Sequence, residues 1–551
     1  MTGTTHPPPP RPSISSGARR GLALLALFTA LTVGTTWPQA RYMATHAADH
    51  HDVYFNMWRL AWFAHVLWSS PSQLFDANIF YPERNTLTFS DAMIVEGALA
   101  APLLWAGVRP VLVHNLLLFA AVIGSGLGMY VLTRLLTGSR AAGVIAGIMF
   151  ACAPYRFEHY MHLELQWIMW TPWVLLAVHR TIETGRRADG LRAGALVALQ
   201  MLSSIYYGIF LATILPFLSG LLLVRVPGSR ARRAIQALAL GAGIAAVVCS
   251  LYAIPYLSTR QHVGARSTHD IEMFSAKPSD YLVATPENRV YGQIFRGRSE
   301  RRLFPGTLPL LLALMAFVLR RPAPTAVAYL MAMVIAFEMS LGFGGYTYRF
   351  LAERVPVFDG LRAMARLGIF VVMFLAIVAG FGYVALRDVL PAWGRRVIAV
   401  AFPAVLLVEY SVAPLELVPY ANAPPPVYQF LARLPPGVVA EFPMPRRNVL
   451  PGPDARYTYM STFHWKPLVN GYSGFQPSSY LERLKLVERF PEARSLNVLR
   501  RTGVTYLVVH LSSYRPDEAS RVLLGLDAAG AVVSLGTLHD GVGQAVVYRL
   551  D

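Results

Sequence analysis

HAADHHDVYFNMWRLAW, residues 46–62, is the stretch on which the reading of this chain turns. Three histidines and two aspartates (His46, Asp49, His50, His51 and Asp52) follow directly on the first apolar run. They lead into an amphipathic helix pattern carrying Trp58, Trp62 and Trp68. Ionisable side chains crowded where a chain leaves a bilayer are costly to place, so they point to function rather than to packing.

The sequence around this stretch sets the class. Of its residues 54% are hydrophobic and only 15% charged, well below the roughly 25% charged of a soluble domain. Several apolar runs are long enough to span a bilayer, so the chain reads as a polytopic, mainly α membrane protein. The net charge of +18 is read as arginine on inner loops, not as a nucleic-acid footprint. Cys152 and Cys249 both lie in apolar runs, which gives neither a disulfide framework nor a CxxC metal site. The Pro- and Ser-rich opening predicts disorder over 1–20. The run 21–40 is expected to be an uncleaved anchor, because Pro38-Gln39-Ala40 makes a poor cleavage site.

Arginine placement orders the spans. Arg19 and Arg20 put the N-terminus inside. If 92–107, interrupted by Pro102, dips into the membrane without crossing, the loops with Arg134, Arg186, Arg230, Arg320 and Arg395 all fall inside. If it crosses, they all fall outside, against the positive-inside rule. The expectation is about eleven spans within 21–414, at 21–40, 111–133, 141–155, 166–182, 193–206, 208–224, 234–257, 306–319, 323–341, 367–386 and 397–413. The outer loops are then 41–110, 156–165, 258–305 and 342–366. A Pro-rich linker is expected at 415–426, followed by an extracytoplasmic α+β domain over 427–551. GVVAEF and VTYLVVHL read as its strands, and 478–501 as a helix interrupted by Pro491.

Six segments in this order carry a resemblance: HDVYFNMWRLAW (51–62), FDANIFYPERNTLTFSD (75–91), APYRFEHYMHLELQW (153–167), LFPGTLPLLLAL (303–314), LRAMARLGIF (361–370) and HWKPLVNGYSGFQP (464–477). Together with the topology, the chain resembles the GT-C superfamily of membrane glycosyltransferases, and is most similar to its bacterial YfhO-like or mannosyltransferase-like members. The resemblance implies a GT-C-like helix bundle in the inner (cytoplasmic) membrane. It implies a polyprenyl-phosphate sugar as donor and a glycan, lipid or protein acceptor on the extracytoplasmic face, with inversion at the transferred sugar. It implies an acidic residue in the first outer loop near the reaction centre. Asp52 matches that position and Asp49 is the second candidate; a carboxylate accepts the acceptor's hydroxyl hydrogen bond and takes its proton. Asp52 as a mere helix cap is the other reading.

The remaining candidates have two readings each. Asp49, Asp52 and His51 are the ligand types of a divalent metal site, or solvated loop residues. Arg156 has the fixed fork that suits a phosphate, or anchors a loop between two spans at the headgroups; Glu158 and His162, if helical, share a face. The basic loop 258–305, with Arg260 and Arg266, suits a phosphate leaving group or anionic lipid. Arg362 and Arg366, four apart, suit a phosphate or snorkel at a span end. Trp58, Asp91, His159, His162 and Glu164, with His464, Trp465, Asn470 and Tyr472, are candidates for substrate or acceptor contact. The last group can equally form a packed turn. A transporter or flippase for a lipid-linked glycan is the alternative function. Against it, no internal repeat is visible and the acidic residues sit in outer loops. A non-catalytic scaffold of the same fold is the third.

Overall fold

A computed structural model describes residues 14–263, 267–530 and 532–551. All eleven expected runs fall on helices, among them Pro110–Thr137, Arg140–Ala151, Trp170–Thr184, Arg187–Ser203 and Ala392–Glu409. Among the described residues, five helical stretches are long and apolar enough to cross a membrane: Gly17–Thr35, Pro110–Thr137, Ile205–Leu223, Gly228–Gln261 and Met364–Val389. Ile94–Trp105, Thr307–Val318 and Pro324–Ser340 are shorter and apolar. The first helix starts at Ile14, so 14–20 is helical where disorder was expected; residues 1–13 of that expectation lie outside the described residues.

Local chemistry sets the helix ends. Pro110 opens its helix at a position where its missing N–H costs nothing, and Gly138, at φ 69°, ends it in the left-handed conformation. Ser139 then caps the next helix, accepting from the Ala142 N–H at 3.3 Å. Gly368–Val389 is the hub of the bundle, with almost every side chain from Gly368 to Ala385 buried. Arg187–Ser203 lies against Gly228–Val263 through glycine: a Cβ on Gly194 would sit 2.0 Å from the Gly241 carbonyl oxygen. Small residues let backbones approach like this, and dispersion then holds the pair.

The segment 41–109 and the C-terminal residues pack as one body. Strand β1 (His46–Ala48) pairs antiparallel with β2 (Leu417–Pro419). The expected free linker at 415–426 is therefore partly a strand, further fixed by the Tyr420 hydroxyl donating to the Ala48 carbonyl at 2.6 Å. Beyond it, β3 (Val438–Phe442), β4 (Val504–His510), β5 (Val532–His539) and β6 (Gln544–Leu550) form a sheet of order β3-β4-β6-β5. Only the β3–β4 pair is parallel. The expected helix over 478–501 is two, Ser478–Leu486 and Ala493–Arg501, because Pro491 lacks the N–H to continue it. The loop chain runs into this body: Phe80 N–H donates to Asn470 O at 3.1 Å and Tyr81 N–H to Leu468 O at 2.9 Å.

Helix His51–Ser69 is not interfacial along its length. Trp58 is fully buried, stacked on Phe55, and its Nε1–H donates to Asn78 Oδ1 at 3.1 Å. Only Trp68, 80% exposed, keeps the expected surface role.

Gly194→Val should destabilise the protein by about 1–3 kcal/mol through overpacking. A thermal melt in detergent checks this; an unchanged Tm would mean that the two backbones do not touch there.

Candidate functional site

The start of helix His51–Ser69 places Asp52. His50, in extended conformation, is the N-cap, and its Nδ1 accepts from the Asp52 N–H at 3.1 Å. Asp52 is therefore not the cap, and its carboxylate is turned to other partners. Tyr472 donates its hydroxyl to Oδ1 at 2.9 Å. Nε2 of His162 lies 3.1 Å from Oδ2, and so does Nδ1 of His50. One nitrogen cannot serve both His50 contacts at once: unprotonated it accepts the amide, protonated it donates to the carboxylate.

These groups share a cavity of about 750 Å³. Asp91, Glu158, Glu164, Glu300, Arg260, Arg362 and Arg366 also line it, with Tyr206, Tyr252 and Tyr256. Each acidic group has a defined partner. Glu164 accepts from Arg59 at 2.8 Å. Asp91 accepts from the Ile205 N–H, the first of its helix, at 2.6 Å. Glu158 pairs with Arg302, and Glu300 with Arg366, each at 3.2 Å. Burial opposes charge on Asp52, but His162 and then His50 hold its carboxyl well below the usual range. Burial likewise opposes charge on His162, yet Asp52 outweighs it and the imidazole is raised. Burial, then the Glu164 charge, pushes Asp91 up to about 6.

Of the sequence candidates, the cavity brings together Asp52, Asp91, His162, Glu164, Arg260, Arg362, Arg366 and Tyr472. Others prove structural. Arg156 is buried; its Nε donates to Phe150 O at 2.7 Å and its Nη1 to Gln166 O and Oε1 at 3.2 and 3.1 Å, stapling the 150–166 turn. It does not line the cavity. His159 is fully buried against Tyr155 and does not itself line the cavity, although its ring lies 5.6 Å from that of His162, which does. Trp58 is core, as above. Trp465 stacks on His65, with ring centroids 4.1 Å apart. His464 accepts from Lys466 N–H at 3.0 Å and packs on Tyr428. Asn470 hydrogen-bonds both backbone groups of Glu441 and the Asp454 carboxylate, in the packed-turn role.

Asp49 and His51 are exposed and do not line the cavity. With the Asp52 carboxylate engaged by His50, His162 and Tyr472, the proposed Asp49, Asp52, His51 metal set does not converge. Among the described residues no group of three His, Cys, Asp or Glu side chains is arranged to hold a metal. Arg266 lies outside the described residues. Glu158 and His162 do not share a helix, since the chain breaks between Pro154–Glu158 and Leu163–Gln166, but both reach the cavity.

Sequence reading missed His50 as cap and partner, and missed Glu300, Tyr206, Tyr252 and Tyr256. The tyrosines had a signal: Tyr252, Tyr256, Thr259 and Arg260 make a polar face on an otherwise apolar helix. Glu300 had none, because its partner Arg366 is 66 residues away.

No family model matches the sequence, and no curated protein does. Among solved structures, arabinofuranosyltransferase AftD from Mycobacteria aligns with a TM-score of 0.65 and 16% identity, over 97% of this chain and 40% of that one. This chain thus spans two fifths of that protein's length. The oligosaccharyltransferase of Archaeoglobus fulgidus aligns with a TM-score of 0.50 and 14% identity, over 89% of this chain and 69% of that one. The likeness is one of fold, and the fold is GT-C-like.

The Asp52–His162 pair has a pH signature. Asp52 is lowered, so its stabilisation is present above about pH 4 and is lost as pH falls through the lowered value. His162 is raised, so its stabilisation is full below about pH 6.5 and is lost as pH rises through the raised value. The Tm difference between wild type and His162→Gln should therefore be largest between about pH 4 and 6.5. A difference independent of pH would show that the two groups are not paired.

Proposed function

We propose that this protein transfers a sugar from a polyprenyl-phosphate-linked donor to an acceptor hydroxyl at this cavity. The observation that carries the reading is the joint placement of Asp52, Arg362 and Arg366 on one cavity, bordered by Ala246, Cys249, Ala253 and Leu257 of helix Gly228–Val263. That helix keeps Val247, Leu251, Ile254 and Leu257 exposed on the molecule's surface. An apolar donor tail lying along it leaves a phosphate beside the arginines.

In this reading the acceptor oxygen attacks the anomeric carbon with inversion. The bond from that carbon to the phosphate oxygen breaks, and the electron pair leaves with the polyprenyl phosphate. The acceptor proton passes to the Asp52 carboxylate. A carboxylate already held by His162 and Tyr472 is a weak base before reaction, so it orients the hydroxyl and takes the proton late, as attack acidifies it. Arg362 and Arg366 offset the charge that grows on the leaving phosphate. Positive-inside counting places the cavity on the extracytoplasmic side, with eleven spans, the N-terminus inside and 415–551 outside. The names of the two structural neighbours, both transferases of sugar units, agree with this reading. Nothing favours a transporter.

Asp52→Asn should cut transfer by about 10²–10⁴-fold while leaving the protein folded. The assay compares envelope glycans of a deletion strain complemented with wild type or with the variant, using equal membrane levels of each. Full restoration by the variant would remove Asp52 from the chemistry.

A further inference from the structure

Arg366 is buried, yet it faces a cavity, and its one charged partner among the described residues is Glu300 at 3.2 Å. Its Nε has no hydrogen-bond partner, and its guanidinium lies 4.7 Å over the Tyr206 ring. Arg362, also on the cavity, lies 5.0 Å over Phe274 and makes no ion pair among the described residues. Without Glu300, these two cations would have no ion pair among the described residues, which is costly in a partly dry site.

Glu300 is held there by its backbone. Its φ is 64°, the left-handed region that non-glycine residues seldom adopt. Glu158 fixes that turn: it accepts from Glu300 N–H at 2.7 Å and from the Ser299 hydroxyl at 3.3 Å, and pairs with Arg302 at 3.2 Å. The next residue, Arg301, is tied to Asp280 at 2.7 Å. Four contacts thus hold a strained turn whose result is one carboxylate aimed at Arg366. Strained residues of this kind cluster at ligand clamps and switches.

We propose that Glu300 is a specificity-determining residue that fills the donor's phosphate seat while the cavity is empty, so that a phosphate must displace its carboxylate from Arg366 to bind. This rests on the polyprenyl-phosphate reading above. Both anions need the same guanidinium, and two negative charges side by side in a partly buried site repel. The backbone stays pinned by Glu158, so the carboxylate leaves by side-chain rotation alone. When the product phosphate departs, Glu300 returns and keeps Arg366 paired. The seat therefore selects ligands able to outcompete a carboxylate: a phosphate with bidentate reach, not a weaker anion.

The test measures binding of undecaprenyl phosphate, and separately of inorganic phosphate, to the full chain in nanodiscs. Expected is undecaprenyl phosphate binding about tenfold tighter to Glu300→Gln than to wild type, one charge contact no longer broken. Arg366→Gln should bind it at least about tenfold more weakly. Inorganic phosphate should bind weakly throughout. Glu300→Ala, which keeps no hydrogen-bonding end, should tighten in the same direction, and gel filtration shows that each variant is folded. If wild type binds undecaprenyl phosphate and Arg366→Gln loses it, but both Glu300 variants bind no tighter, the displacement idea is overturned while the donor reading stands. If wild type and all variants fail to bind it, both fall. Tightening for inorganic phosphate alone would overturn the lipid-linked source.

Discussion

One carboxylate collects partners from three elements: its own segment, a loop of the helix bundle and the C-terminal body. Asp52 receives His50 from its own segment, His162 from the 156–165 loop and Tyr472 from the C-terminal body. None of these contacts forms unless the segment 41–109, the helix bundle and the C-terminal residues are all in place. The β1–β2 pairing brings the loop and the C-terminal body together six residues before Asp52. Phe80, packed on Tyr480, and the Phe80–Asn470 and Tyr81–Leu468 hydrogen bonds continue the seam. The C-terminal body thus supplies a wall of the cavity, through Tyr472 and Ser473, rather than hanging beside it.

The charge pattern of the cavity follows from the same arrangement. Each buried carboxylate has a cation or an N–H: Glu164 has Arg59, Glu158 has Arg302, Glu300 has Arg366, and Asp91 has a helix N-terminus. Paired charges of this kind contribute little net stability, because desolvation offsets their attraction.

Much of this was legible in the sequence. The apolar runs located the long helices of the bundle, since apolar burial leaves a compositional record. Asp52, Asp91, Arg362, Arg366 and Tyr472, which line the cavity, were singled out because an ionisable or aromatic side chain in a loop between apolar runs is rare enough to signal. Arg156, Trp58, His159, His464, Trp465 and Asn470 carry the same residue types, yet they serve packing. What separates the two groups is which way each side chain turns, and that depends on tertiary contacts. Arg156 is consumed by Gln166, ten residues on, in a turn that spacing alone does not specify. Glu300 and His50 matter only through partners that folding brings to them.

The central claim is that the cavity lined by Asp52, Arg362 and Arg366 receives a lipid-linked phosphate. A cryo-EM map of the protein in nanodiscs with bound polyprenyl phosphate tests it most directly. The account predicts phosphate density within hydrogen-bond reach of Arg362 or Arg366, in the cavity that Asp52 lines, with the chain leaving along helix Gly228–Val263. Phosphate density elsewhere on the protein, with this cavity empty, would contradict it.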